Sequence, residues 1–356
     1  MEDLKGRVAD LTPDQSYVEL CRLVTLLSRN GQDGHQFVIP FDDVEGPVLP
    51  FRTYEFEEGV FITDAMPGYT DLIGKQIYAI NDHPIGEVLQ AIEPLVPRDG
   101  PQTVPGFRTI FFLRMEVLRG LGLADETAVK LDVHGTGDTV ETVSVTPAEW
   151  PQWRAFAGDF GIALPTRAET LYLTRPGPVV WSTTIDDGRA FYVRYEAIRS
   201  PGPAAITAIQ NGAAAAGVEK VILDIRQNGG GDNGTFATLY SALTDPAVDL
   251  PGRLYVLIDR ITFSAAGNLA TKFDVNTNAM FAGEPSGGGV NFWDDVTWVD
   301  MPNWPLPSMV GVSTRYWEFG PPDDPRLTIE PDIAVPVTAS DYFADRDPVL
   351  EAVLAH

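Results

Sequence analysis

Val218-Glu219-Lys220-Val221-Ile222-Leu223-Asp224-Ile225-Arg226 is a short, almost continuous apolar run, and Gln227-Asn228-Gly229-Gly230-Gly231-Asp232-Asn233 follows it at once. A run of that length bounded by turn residues reads as a strand covered on both faces, as in a parallel sheet. A second run of the same type, Arg253-Leu254-Tyr255-Val256-Leu257-Ile258-Asp259-Arg260, comes after an intervening helical stretch. Upstream, RAFYVRYEAI (189–198) reads as another strand and residues 203–216 as a helix. Strands and helices in alternation make an α/β core with parallel pairing.

The three glycines let the backbone take positive φ and turn N–H groups toward a ligand oxygen. The loop lacks the spacing and the Lys-Ser/Thr of a P-loop, and it lacks the GxGxxG of a dinucleotide site. An oxyanion hole and a plain strand-to-helix turn remain. After the second run, Asp259-Arg260-Ile261-Thr262-Phe263-Ser264-Ala265-Ala266-Gly267-Asn268 puts Ser264 just ahead of small residues on which a helix can start. The Ser264 hydroxyl and the Ala265 N–H then face outward at a helix N-terminus, where developing negative charge is favoured. A serine in such a place also serves as an N-cap.

Toward the N-terminus, residues 13–30 carry Val18, Leu20, Leu23, Val24, Leu26 and Leu27 at helical spacing, with Asn30-Gly31 as the expected stop. Cys21, the single cysteine, is expected on the buried face of that helix and forms no internal disulfide. Gln32-Asp33-Gly34-His35 follows, so His35 is expected on a loop before the strand Phe37-Val38-Ile39, which Pro40 stops. From about 50 to 147 the chain breaks into short alternating segments, YEFEEGVFIT, QIYAIND and KLDVHGTGDTVETVSVTP, which describe a small strand-rich domain with one or two helices. Within it, Leu72 to Ile85 reads as a turn, a strand, a tight Asn81-Asp82 turn and a helix beginning near Ile85. The Pro- and Trp-rich stretch 145–178 reads as a connector. The expected organisation is therefore a helical segment over 1–50, a β-rich domain over 51–147 and an α/β domain over 148–356.

The chain has 356 residues, 44% of them hydrophobic, enough for two or three domains with real cores. With 50 acidic and 25 basic side chains its formal charge is −25, which repels phosphate backbones and argues against a nucleic-acid partner. No apolar run approaches the roughly 20 residues of a membrane span, and the N-terminus lacks the basic start and apolar stretch of a signal peptide. Membrane insertion is not expected, and the location is cytoplasmic by default. The histidines are scattered, so neither a metal nor a cofactor is expected.

Taken together, LDIRQNGGGDN and RLYVLIDRITFSAAGNLA resemble the C-terminal-processing, or tail-specific, serine peptidase family. FAGEPSGGGVNFWDD, VSTRYWEFGPPDDPRLTIEPDI and DPVLEAVL resemble the closing segments of one branch, QDGH resembles its DGHT loop, and the LIGKQIYAINDHPI segment resembles a PDZ-like domain. The resemblance covers nearly the whole chain. It implies a crotonase-like/ClpP-like α/β catalytic core similar to that of tricorn, a PDZ-like insert and an N-terminal helical segment. It also implies Ser264 as nucleophile and an oxyanion hole formed by the N–H groups of Gly230 and Ala265, each donor of that kind being worth about 3 kcal/mol.

Many members pair the serine with a lysine in a GKG-like segment. Here that segment reads Ser286-Gly287-Gly288-Gly289-Val290, and Lys272, on the same predicted helix as Ser264, is about 12 Å along the axis at 1.5 Å per residue. Tricorn-like and chlamydial members use a histidine from an N-terminal loop, which makes His35 the expected base; an imidazole accepts a proton at neutral pH without the desolvation a lysine needs. His83, His134 and His356 lie in a turn, at a strand end and at the terminus. Glu318 is the expected third member, with Asp232, Asp294 and Asp295 in competition. The expected activity is serine-type cleavage of an extended peptide or protein substrate, near the C-terminus where the tail-specific habit holds, with assembly into a homo-oligomer left open. Two other readings share the scaffold: a non-catalytic binder of peptides or lipids, and an acyl-coenzyme A enzyme, which leaves Ser264 and the insert unexplained.

Overall fold

The structure is a computed structural model that describes residues 2–28, 30–42, 44–125, 128–134, 139–158 and 161–356. The chain falls into two compact units: residues 1–99, 103–165 and 293–315 form one, and residues 100–102, 166–292 and 316–356 the other.

In the first unit the helix Pro13–Thr25 starts on a capping box. Thr12 Oγ1 accepts from the Gln15 N–H, and the Gln15 side chain accepts from the Thr12 N–H. Tyr17, Val18, Leu20, Cys21 and Val24 form its buried face. The helix ends sooner than its apolar spacing suggests: Leu26, Leu27 and Ser28 donate three residues back, to Leu23, Val24 and Thr25. This tighter turn leaves Leu26 and Leu27 exposed. Of the expected stop, Gly31 takes φ +83°, and Arg29, just ahead of it, lies outside the described residues.

Five antiparallel strands follow in the order Phe51–Phe56, Gly59–Ala65, Gln76–Ile80, Val129–His134 and Val140–Val145. Residues 135–138 of the KLDVHGTGDTVETVSVTP stretch are outside the described residues. The tight turn is present: Asn81 and Asp82 both have positive φ (45° and 68°), Ile80 pairs with His83, and the helix Ile85–Ile92 starts directly afterwards. Two positive φ values are what a two-residue hairpin turn needs, and Asn and Asp tolerate them best among non-glycine residues. The helical content exceeds expectation, since Thr103–Leu113 and Met115–Gly120 are also helical. The first part of the presumed connector is built structure: Trp150–Ala157 is a helix, and its Trp153 is buried with Nε1 donating to Phe51 O. A separate three-stranded sheet sets Val38–Pro40 beside Ser308–Glu318 and that strand beside Asn291–Met301.

The second unit is built on a six-stranded sheet in the order Ile333–Ala334, Met280–Gly283, Leu254–Ile258, Lys220–Asp224, Ala190–Tyr195 and Val180–Ile185. All neighbours pair in parallel except the last two strands, which are antiparallel. The two apolar runs that opened the sequence reading are adjacent central strands, with Val221 beside Leu254 and Asp224 beside Leu257. Leu254–Ile258 is buried at every position, so both of its faces are covered. The helices Pro203–Ala213, Ala237–Leu243 and Ala265–Asn276 supply Ile209, Leu239, Leu243, Leu269 and Phe273 to one core with Val221, Leu223 and Val256. The α/β expectation is met, and both signature loops leave the same end of the sheet, where ligands of such sheets bind.

Candidate active site

The loop after Lys220–Asp224 and the turn after Leu254–Ile258 are tied together by a buried carboxylate. Asp259 Oδ1 accepts from the N–H groups of Gln227, Ile261 and Thr262 at 3.0, 3.0 and 3.1 Å. Asn228 adds a second tie, donating through Nδ2 to Tyr195 O and accepting through its own carbonyl from Phe263 N–H. Asp259 is buried, so its carboxyl is pushed above the usual range, against the pull of the Gln227 N–H and the more distant Arg226 charge. Neither residue stands out from spacing alone. An aspartate directly after five buried apolar residues is the signal that could have flagged Asp259, since such a group needs several donors.

Ser264 is the N-cap of the helix Ala265–Asn276 with φ 55° and ψ −131°, and its side chain makes no capping hydrogen bond. A non-glycine residue in that region costs on the order of 1–3 kcal/mol and persists only where its surroundings impose it. Gly230 (φ +106°) lies against this turn: a β-carbon there would stand 2.6 Å from Ser264 Cβ and 2.9 Å from Ala265 N. Gly231 is equally constrained, because a β-carbon would come 2.2 Å from Ile198 O. Gly230, Ser264 and Ala265 are thus brought together. The Gly230 N–H, expected to serve as an oxyanion donor, donates to Asn228 Oδ1 at 2.9 Å.

The SGGGV segment is held beside the same turn, with the N–H groups of Gly287 and Gly288 donating to Thr262 O at 3.1 and 3.3 Å. It brings no lysine. Lys272 Nζ lies 4.7 Å from the centroid of the Tyr240 ring, Lys220 Nζ donates to Val353 O and Leu354 O, and Lys75 pairs with Glu141.

In the first unit, the DGH loop is clamped from several sides. Gly34 N–H donates to Asp99 Oδ1, Gln32 N–H donates to Asp99 O, and Ser313 Oγ donates to Asp33 Oδ1 at 2.6 Å. His35 is buried, and its Nε2 lies 3.5 Å from Asp294 Oδ2. Burial lowers its pKa from the usual 6.5, while Asp294, the Trp293 backbone and Asp295 pull it back up. Burial thus favours the neutral imidazole, the form a general base requires. Asp99 is fully buried, and burial raises its carboxyl well above the usual range despite the Gly34 N–H.

Of the carboxylates weighed from sequence, Asp294 is the one found in contact with His35. Glu318 is exposed at the end of the strand Ser308–Glu318, Asp232 caps a turn by accepting from Gly234 N–H, and Asp295 pairs with Arg315 at 3.7 Å. Among the described residues no group of three or more His, Cys, Asp or Glu could hold a metal ion, and no helix is long and apolar enough to cross a membrane.

Against known proteins, the structure is similar to that of mature CPAF complexed with lactacystin, with a TM-score of 0.64 and 14% identity over 97% of this chain and 88% of that one. A second structure of mature CPAF gives a TM-score of 0.62 at 16% identity, covering 94% and 85% of the two chains. The photosystem II D1 C-terminal processing protease matches at 19% identity over 88% and 75% of the chains, with a TM-score of 0.37. No protein-family profile matches the sequence, and no curated protein does. At these identities, the likeness to CPAF establishes a shared α/β fold.

Proposed function

We propose that the chain is a serine peptidase that cleaves extended peptides through an acyl-enzyme on Ser264. The observation that carries this reading is the strained Ser264 turn at the helix N-terminus, with Gly230 packed against it. The family resemblance read from the sequence and the CPAF-like fold support it. In the proposed reaction, His35 takes the Ser264 proton as Oγ attacks the peptide carbonyl. The imidazolium then protonates the leaving amine as the C–N bond breaks. Water, activated by the same imidazole, hydrolyses the ester. Asp294 is assigned the orienting role that the resemblance gives to Glu318, since its Oδ2 is 3.5 Å from His35 Nε2.

Ala265 N–H and Gly230 N–H are assigned to the oxyanion, with Gly230 switching from Asn228 Oδ1 to the substrate oxygen. Residues 51–147 are read as a PDZ-like module that takes a peptide as an added strand, and residues 148–356 as the crotonase-like/ClpP-like catalytic region. Incubation with a broad peptide panel tests the reading: wild type cleaves and His35→Ala does not, with both proteins folded. Wild-type inactivity on the whole panel, or full activity of the variant, counts against it. CPAF was obtained in complex with lactacystin, which makes that compound a first inhibitor to try.

One observation favours a second reading, a peptide- or lipid-binding protein without turnover: the engaged Gly230 N–H leaves the hole one donor short. Tight binding unaffected by Ser264→Ala, with no cleavage, distinguishes it.

A further inference from the structure

The strand Asn291–Met301 is the edge of its three-stranded sheet, with Ser308–Glu318 as its neighbour. Four consecutive residues, Thr297 to Asp300, are exposed. Successive side chains of a strand point to opposite faces, so both faces of this arm meet solvent. Large apolar side chains stand on it: Trp298 is 44% and Val299 49% exposed, and Val312 on the neighbouring strand is 36% exposed. Trp298 is held in place over the neighbour, since a β-carbon on Gly311 would stand 3.2 Å from its Cζ3.

An exposed edge of this kind is a template for another strand, and proteins usually blunt it with lysine or proline. Neither occurs within Asn291–Met301. The arm is net acidic: residues 293–315 hold Asp294, Asp295 and Asp300 against the lone basic residue Arg315, which lies 3.7 Å from Asp295, while Asp294 faces His35. A second copy of this chain would bring the same acidic arm and another net −25, so pairing arm to arm is repelled. An extended segment that alternates cationic and apolar residues meets both features, its cations opposite Asp295 and Asp300 and its apolar side chains over Trp298 and Val299.

We propose that the outer edge of Asn291–Met301 is a docking strand for an extended cationic peptide. Binding here requires nothing of Ser264 and stands or falls apart from the catalytic reading. The test uses full-length Ser264→Ala protein, so that no probe is consumed, and two labelled peptides of equal length, one alternating Arg with Val and the other Glu with Val. Fluorescence anisotropy is expected to show the Arg-Val peptide bound roughly tenfold tighter or more, as a few cross-strand charge pairs allow. That preference is expected to shrink in added salt and in Asp295→Asn/Asp300→Asn, Asn being the side chain best suited to the positive φ of Asp295. Hydrogen exchange is expected to slow within residues 296–300 when the peptide is bound. Absence of binding, equal affinity for the two peptides, an undiminished preference in the double variant, or protection confined to other segments overturns the proposal.

Discussion

Gly230 and Ser264 are packed so closely that a β-carbon on Gly230 would stand 2.6 Å from Ser264 Cβ. The close approach and the φ of +106° act together. Gly230→Ala is expected to cost about 1–3 kcal/mol in urea unfolding, the usual range for a strained backbone position. Gly229 is the internal control: it has open space around it and no positive φ, so Gly229→Ala is expected to be within about 1 kcal/mol of wild type. Equal effects at the two positions would show that the contact has been misread.

Behind the same loop, Asp224 is fully buried between two guanidiniums. It accepts from Arg194 Nη1 at 3.3 Å, Arg226 Nε at 3.1 Å and Tyr192 OH at 2.8 Å. Arg226 keeps Asp347 as a partner when Asp224 is removed, but among the described residues Arg194 keeps only the backbone carbonyl of position 224. Asp224→Ala is expected to destabilise by about 3–5 kcal/mol, the cost of stranding a buried charge, as read by chemical denaturation. A loss below about 1 kcal/mol, the scale of a surface pair, contradicts this.

The acidic surroundings of His35 set the direction of a pH effect. Asp294 raises the pKa that burial lowers, so Asp294→Asn is expected to lower it further. If His35 is the base, the acid limb of kcat/KM moves to lower pH in the variant. A limb that stays put or moves up removes Asp294 from the orienting role. The His35 term in stability has the same sign: the unfolded chain takes up its proton near 6.5 and the folded one only at lower pH, so stability falls as pH drops below about 6.5.

Glu45 acts in the opposite sense. Burial raises its carboxyl from 4.5 to about 7, ahead of the lowering effect of Arg114. Between those values the folded state holds a proton that the unfolded state has lost, so this group's contribution falls as pH rises from 4.5 toward about 7. Glu45→Gln is expected to flatten stability across that window in a series of denaturation curves. A profile parallel to wild type contradicts the shift.

Cys21 offers a simple check of the N-terminal packing. It is buried, and desolvation raises its thiol to about 12, so a thiol reagent at neutral pH is expected to label it only after unfolding. Rapid labelling of the folded chain contradicts the packing.

The core was legible because periodicity and composition agree there. Residues 221–223 and Leu254–Ile258 are apolar at every position, as a doubly covered strand requires. Asn81-Asp82 was legible because few residue pairs accept two positive φ values. The end of the first helix was misread because Leu26 and Leu27 have helical spacing but no partner surface, and spacing does not record burial. Ser264 and Gly230 could be picked out together, whereas the use of the Gly230 N–H by Asn228 depends on the side-chain conformation of a residue two positions earlier. The contact of Asp294 with His35 joins positions far apart in the chain, and no local pattern marks it among 50 carboxylates.

The central claim is that Ser264 is a nucleophile, and covalent labelling measures it most directly. A serine-directed phosphonate carrying a peptide recognition element is incubated with wild type and with Ser264→Ala, and the adduct is located by mass spectrometry. One adduct per wild-type chain, on Ser264, with none on the variant, is the expected result. An adduct that persists in Ser264→Ala, or no adduct on a folded wild type that also leaves every peptide uncut, contradicts the account.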